Sequence, residues 1–240
     1  MSRGLSRWPV IALLAALLTI PASAAAPAGR STHGILERFL ALGDPTPNHF
    51  RALRHLEARN DHFEKSASMD VWTEGDSTGF RYLIVREDGS DYIREKVLRA
   101  TLETEKKVWA SGAPDAAGLT PDNYEFEDAG FQPDGLASLT VKPRRKDLLL
   151  VDGVIFLNPD SGELVRMEGR LTKTPSFWTR RVEIKRWYRR VAGFRMPIAL
   201  ETVANVLVAG RSTFKMTYEY ESVNGQRVGN PQPRLNAALQ

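Results

Sequence analysis

The sequence predicts an α+β domain, with helices on one side of a curved antiparallel β-sheet. Three observations predict it. Residues from Leu148 to Glu221 read as one antiparallel ladder of strand-like runs separated by turns. Amphipathic helical patterns are few and fall early in the chain. The alternating βα units of a doubly wound or TIM-like chain do not occur.

Residues 1–24 stand outside that domain. Arg3 and Arg7 form a positive start, Val10 to Ile20 an apolar stretch, and Ala22-Ser23-Ala24 a small-residue cleavage site. Together they read as a secretory signal cleaved near Ala24, with Ala24-Ala25-Ala26 an equivalent site. An uncleaved anchor is the alternative, but a spanning helix needs about 20 apolar residues. Cleavage leaves 240 − 24 = 216 residues. These divide into a disordered mature start (25–30), a single domain (31–226) and a frayed tail (227–240). A chain of this size buries about 70% of its unfolded surface and needs no staples. The cysteine count of zero agrees. It excludes disulfides, thiolate metal sites, a Cys nucleophile and a lipidated N-terminal Cys.

Taken in order, Ser31 and Thr32 can cap a helix from Gly34 to Leu42, with Ile35, Phe39 and Leu40 near one face, ended by Pro45 and Pro47. Asn48 reads as the cap of a second helix to about Arg59, turning Phe50, Leu53 and Leu56 inward. Phe63 to Thr73 and Phe80 to Val85 read as strands around a Gly-rich turn. Apolar residues at Tyr82, Leu83, Ile84 and Val85 suggest burial on both faces at the second strand's end. Ser90 caps a longer helix from Asp91 to about Ala110. Its apolar stripe is Ile93, Val97, Leu98, Leu102 and Trp109, and Glu95/Arg99 and Glu103/Lys107 are i,i+4 pairs on its exposed side.

Ser111 to Ser138, rich in Gly, Pro, Asp and Ala, reads as irregular: a binding loop, a cover or a disordered insertion. Leu148–Val151 and Val154–Leu157 flank Asp152-Gly153, a hairpin signal. Asn158 to Gly162 turns the chain into Glu163–Lys173, and Thr174-Pro175-Ser176 turns it again. Phe214, Met216, Tyr218 and Tyr220 alternate with Thr213, Lys215, Thr217 and Glu219, the clearest strand in the chain. Asn224-Gly225 closes it.

Gly75-Asp76-Ser77-Thr78-Gly79 matches the G-x-S-x-G nucleophile elbow as text. The elbow needs a helix after the serine, whereas Phe80 to Val85 is strand material. All four histidines (His33, His49, His55, His62) also precede Ser77. The glycines therefore serve a hairpin, and hydrolysis at Ser77 is the third-ranked reading. The histidine spacings of six and seven do not place two ligands on one helix face. No phosphate loop or dinucleotide fingerprint occurs. The expectation is a non-enzyme without cofactor or metal.

Charge is lopsided. Residues 61–135 hold 8 Lys/Arg against 17 Asp/Glu, a net of −9, and residues 140–195 hold 14 against 6, a net of +8. A basic face including Arg166, Arg170, Arg181 and Lys185 interleaves with Trp178, Trp187 and Tyr188. After export, anionic lipid head groups or an acidic partner suit it better than nucleic acid. A solvated strand face is the plainer explanation and ranks first.

Early helices, a long antiparallel meander and the Pro-Ser-Phe-Trp crossover at Pro175–Trp178 resemble the LolA/LolB-like superfamily of bacterial periplasmic lipoprotein carriers. More closely, the chain looks like outer-membrane lipoprotein-sorting-like relatives. The resembling segments are Ile93–Glu105, Asn123-Tyr124-Glu125-Phe126, Leu148–Leu157, Leu164–Tyr188, Phe194–Ala204 and Phe214–Gly225. The resemblance implies a strongly curved sheet, a half-barrel, with helices covering its concave side as a lid over an apolar cavity for acyl chains. It also implies a periplasmic location.

Two functional readings follow. In the first, the protein binds and carries a lipid or an acylated protein between sheet and helices, exchanging it with a membrane-anchored donor or acceptor. Sheltering a chain of about 14 carbons is worth roughly 10 kcal/mol. Trp72, Tyr82, Phe156, Met167, Ile184, Phe214, Met216 and Tyr218 are the candidate lining, with ordinary core as the plainer account of each. In the second, the same fold senses envelope state and docks onto an anchored protein partner.

Overall fold

The computed structural model describes residues 33–43, 45–111, 118–173, 179–207 and 210–233. The expected secretory signal (1–24), the expected mature start (25–30), the expected Thr174-Pro175-Ser176 turn with the rest of the Pro175–Trp178 crossover, and the end of the expected tail lie outside these residues.

Period-2 alternation produces eleven strands: β1 (His49–Asn60), β2 (Lys65–Asp76), β3 (Gly79–Gly89), β4 (Tyr124–Phe131), β5 (Ala137–Pro143), β6 (Val151–Leu157), β7 (Leu164–Leu171), β8 (Thr179–Val191), β9 (Phe194–Val206), β10 (Gly210–Val223) and β11 (Gln226–Arg227). All belong to one sheet in the order β3-β2-β1-β10-β9-β8-β7-β6-β5-β4, with β11 beside β10. Every pairing is antiparallel.

This order corrects the expected half-barrel. The path runs from β3 to β4 without those two strands meeting, so the sheet is open and is neither closed nor strongly curved. Part of the reason is strand count. Two segments expected as helix and irregular loop are themselves strands and widen the sheet.

The first of these is β1. Phe50, Leu53 and Leu56 are helically spaced, but Phe50, Ala52, Arg54, Leu56 and Ala58 share the buried face of a strand. Arg54 at an inward position hides that alternation. The second is 111–138, which contains β4 and the start of β5. Asp152-Gly153 is not a turn either. It lies within β6, where Gly153 faces Gly169 of β7. A Cβ on Gly153 would fall 2.0 Å from the Glu168 carbonyl oxygen, so the glycine serves close strand approach.

The expected helices at either end of this region do form. Helix α1 (His33–Ala41) buries Ile35 and Phe39. The longer helix, residues 91–110, has α-helical Asp91–Ile93 and Ala100–Ala110 joined by a π-helical turn, Arg94–Arg99. It buries Ile93, Leu98 and Leu102. Ser90 makes no side-chain cap. Glu95 pairs with Arg99 at 2.7 Å as expected, whereas Glu103 accepts a hydrogen bond from the Tyr82 hydroxyl at 2.5 Å. Among the described residues no helix is long and apolar enough to cross a membrane.

Because β3 and β4 are consecutive in the chain but occupy opposite edges, the segment between them must cross the sheet. The longer helix begins that crossing and packs on β1, β2 and β3. Helix α1 lies toward the other edge: Phe39 meets Phe126 of β4 edge-on, and Arg38 bonds the Pro159 carbonyl after β6. Both helices lie on the apolar, inner face. The outer face carries cross-strand charge pairs, including Arg51–Glu74, Arg170–Asp152 and Lys215–Glu201.

Candidate functional site

On the inner face a seam of arginines and tyrosines runs between the two helices. Its anchor is Arg54, only 2% exposed. Arg54 donates to both carboxylate oxygens of Glu105 on the longer helix, at 2.5 and 2.9 Å. Its guanidinium also lies over Tyr218 (4.7 Å), Phe80 (5.1 Å) and Phe50 (5.9 Å). Burial alone would weaken its hold on the proton. Attraction to Glu105 outweighs this and raises its pKa above that of an ordinary arginine.

Register carries the seam across the sheet. Tyr218 of β10 stands opposite Arg54 and stacks on Tyr220, whose hydroxyl donates to the Pro197 carbonyl of β9 at 2.8 Å. Burial pushes both phenols up, so they stay protonated as donors. On β8, Arg186 hydrogen-bonds the Tyr188 hydroxyl. On β9, Arg195 lies over Tyr188 (6.0 Å) and over Phe39 of α1 (5.3 Å), and burial lowers its pKa to about 10. The chain of contacts thus leads from Phe39 to Glu105.

Such a seam is expensive. A buried ion loses several kcal/mol of solvation, and replacing a buried pair by packed apolar groups is often neutral or stabilising. Buried cations beneath a helical cover therefore point to a site rather than to a core. Sequence reasoning passed over Arg54 and Arg195 and took Arg186 only as one more residue of the basic ladder. Their signal was a charged residue in the inward register of an otherwise apolar alternation.

Of the expected lining, Tyr82, Met167, Ile184, Phe214, Met216 and Tyr218 lie on the inner face. Met167, Ile184, Phe214 and Met216 are buried, and Tyr82 and Tyr218 are half-buried. Trp72 and Phe156 are corrections: both lie on the outer face, beneath the guanidinium groups of Arg51 (4.6 Å) and Arg166 (4.2 Å). The expected basic face is largely neutralised. Arg166 and Lys185 meet Glu168 at 2.7 and 3.2 Å, Arg181 meets Glu183 at 3.0 Å, and Arg170 meets Asp152 at 2.8 Å.

Ser77 is exposed in the β2–β3 hairpin, where the Asp76 carboxylate accepts from the Thr78 backbone and hydroxyl at 2.8 and 2.6 Å. His55, on a strand rather than a helix, places its ring nitrogens 2.6 Å from Asp70 and 2.7 Å from Glu57. Among the described residues no group of three or more acidic or histidine side chains is arranged to hold a metal ion. A groove of about 530 Å³ opens beside the seam, sharing Tyr218 and Tyr220 with Arg189, Arg190 and the Val228–Pro231 segment.

No family model matches the chain, and no curated protein matches it. Its fold is similar to that of three solved structures. One is a DUF1329 family protein from Desulfovibrio piger (10% identity, TM-score 0.43, 78% of this chain and 89% of that one). Another is a putative outer membrane lipoprotein-sorting protein domain from Vibrio parahaemolyticus (11%, 0.40, 79% and 92%). The third is a LolA superfamily protein from Nitrosomonas europaea (9%, 0.37, 78% and 90%). The likeness is one of fold alone.

Proposed function

We propose that the chain binds a hydrophobic ligand, a lipid or the acyl chains of a lipoprotein, in a groove between the inner sheet face and its helices. After export it carries that ligand through the periplasm. One observation supports this above others: the cover is smaller than the face it covers. Ten strands in a path make nine steps, which at about 4.8 Å each is roughly 43 Å. Among the described residues two helices, about 10–12 Å across, shield roughly half of that. Between their attachments, inner-face residues Tyr188 and Tyr218 remain half-buried. Beside that face lies the groove of about 530 Å³ that Tyr218 and Tyr220 share with Arg189 and Arg190, a volume in the range of small-ligand sites.

Loading and release require a donor or acceptor anchored in a membrane. The edge strand β3, with Leu83 64% exposed and Val85 beside it, is the surface we assign to that contact. The test is native mass spectrometry of protein purified from envelope fractions, with titration of a fluorescent fatty acid. A co-purifying lipid mass and saturable probe binding are expected. Absence of both overturns the reading.

A further inference from the structure

Arg186 is a cation of the seam with a donor in reserve. Its Nε is sealed from solvent and has no acceptor among the described residues. Its bond is to the Tyr188 hydroxyl rather than to a carboxylate. Glu105, the carboxylate whose charge reaches it, has both oxygens engaged by Arg54. A guanidinium carries five N–H donors in a fixed fork suited to a carboxylate or phosphate. Around it the surface is greasy: Leu200 of β9 and Met167 of β7 are its register partners, and Ile184 lies next along the same face. The residue as a whole is half-buried rather than sealed.

We infer that Arg186, flanked by Tyr188, Tyr218 and Arg54, seats the anionic head of an amphiphile, a carboxylate or a phosphate, whose apolar tail lies along the inner face. This rests on the ligand-binding reading above and narrows it from any hydrophobic ligand to one with a charged head. The tail supplies affinity through burial. The head supplies selection, because a neutral head leaves the fork of Arg186 desolvated and unmatched.

The experiment measures displacement of a neutral fluorescent probe from the mature chain by dodecanoate, by dodecanol and by inorganic phosphate. Dodecanoate is expected to bind about tenfold or more tighter than dodecanol. R186M should abolish that preference while leaving the dodecanol affinity in place. R186K, which keeps the charge but loses the fork, should retain part of it and serves if R186M does not fold. Inorganic phosphate should not compete at the concentrations at which dodecanoate does.

Equal affinity for the two amphiphiles in the unsubstituted protein, or a preference that survives R186M, overturns the head-group site and leaves the carrier reading standing. Competition by phosphate as strong as that of dodecanoate reassigns the seam to a free anion and overturns the amphiphile. Failure of both amphiphiles to bind sinks the carrier reading and this inference together.

Discussion

Arg54 of β1 and Glu105 of the longer helix are joined by two hydrogen bonds, tying the cover to the third strand from one edge of the sheet. The guanidinium is buried and three aromatic rings face it. Removing the carboxylate strands the cation. Glu105→Ala is therefore expected to destabilise the protein by about 3–5 kcal/mol. The double variant R54M/E105A should recover most of that loss, as read from urea denaturation midpoints. If the double variant is no more stable than Glu105→Ala alone, the pair is not what sets the cost.

The buried phenols set an alkaline limit. Burial raises the pKa of Tyr124, Tyr218 and Tyr220, and the bond to Glu103 raises that of Tyr82. A group whose folded pKa exceeds its unfolded value near 10 contributes stability that is complete below that pH. The contribution is lost as pH rises through the folded value. Tyrosinate absorbance of the native protein should therefore lag that of the denatured chain, and the denaturation midpoint should fall above about pH 10. Coincident native and denatured titrations would contradict the packing of the seam.

At the β6–β7 pairing, Gly153 and Gly169 face each other with no room for a side chain. A Cβ on Gly169 would lie 2.4 Å from the Asp152 carbonyl oxygen. Gly169→Ala is expected to cost about 1–3 kcal/mol by overpacking, measured by thermal or urea unfolding. An unchanged midpoint would show that the strands can separate freely.

The β2–β3 hairpin distinguishes turn from nucleophile. Asp76→Ala removes the acceptor of Thr78 and Arg81 and should lower the urea denaturation midpoint. Ser77→Ala should stay within about 0.5 kcal/mol and leave ester hydrolysis at background. Loss of a measurable esterase rate in Ser77→Ala would reverse that assignment.

Face decides which aromatic residues matter for ligand. Trp72 lies outside beneath Arg51, and Tyr218 lies inside beneath Arg54. Trp72→Ala should leave fatty-acid probe affinity unchanged, whereas Tyr218→Ala should weaken it. Equal losses in the two would mean that binding does not use the inner face.

How legible this was depended on whether alternation ran undisturbed. Phe214, Met216 and Tyr220 announce β10 because polar residues separate them and their side chains are buried as the pattern requires. In β1 the inward Arg54 breaks the apolar register, and Phe50, Leu53 and Leu56 then mimic a helix turn. Asp152-Gly153 carries the chemistry of a hairpin, yet what Gly153 satisfies is contact with a neighbouring strand 16 residues on, at Gly169. Trp72 and Phe156 misled for a related reason: an aromatic ring can be covered on the polar face when an arginine lies across it. The seam lay in positions that pattern reading treats as noise. A charge in an inward register gains its partner, here Glu105 51 residues away, only through tertiary contact.

The partner of β1 across the sheet is β10, with Phe50 opposite Val223 and Asn60 opposite Ser212. During synthesis or threading through a pore the amino-terminal meander emerges first, and one flank of β1 stays bare until almost the whole polypeptide has followed. Such high contact order slows folding and leaves an adhesive edge waiting. A holding chaperone, or simple delay before collapse, would then govern yield, and truncation ahead of Gly210 should give an aggregating product rather than a smaller working one.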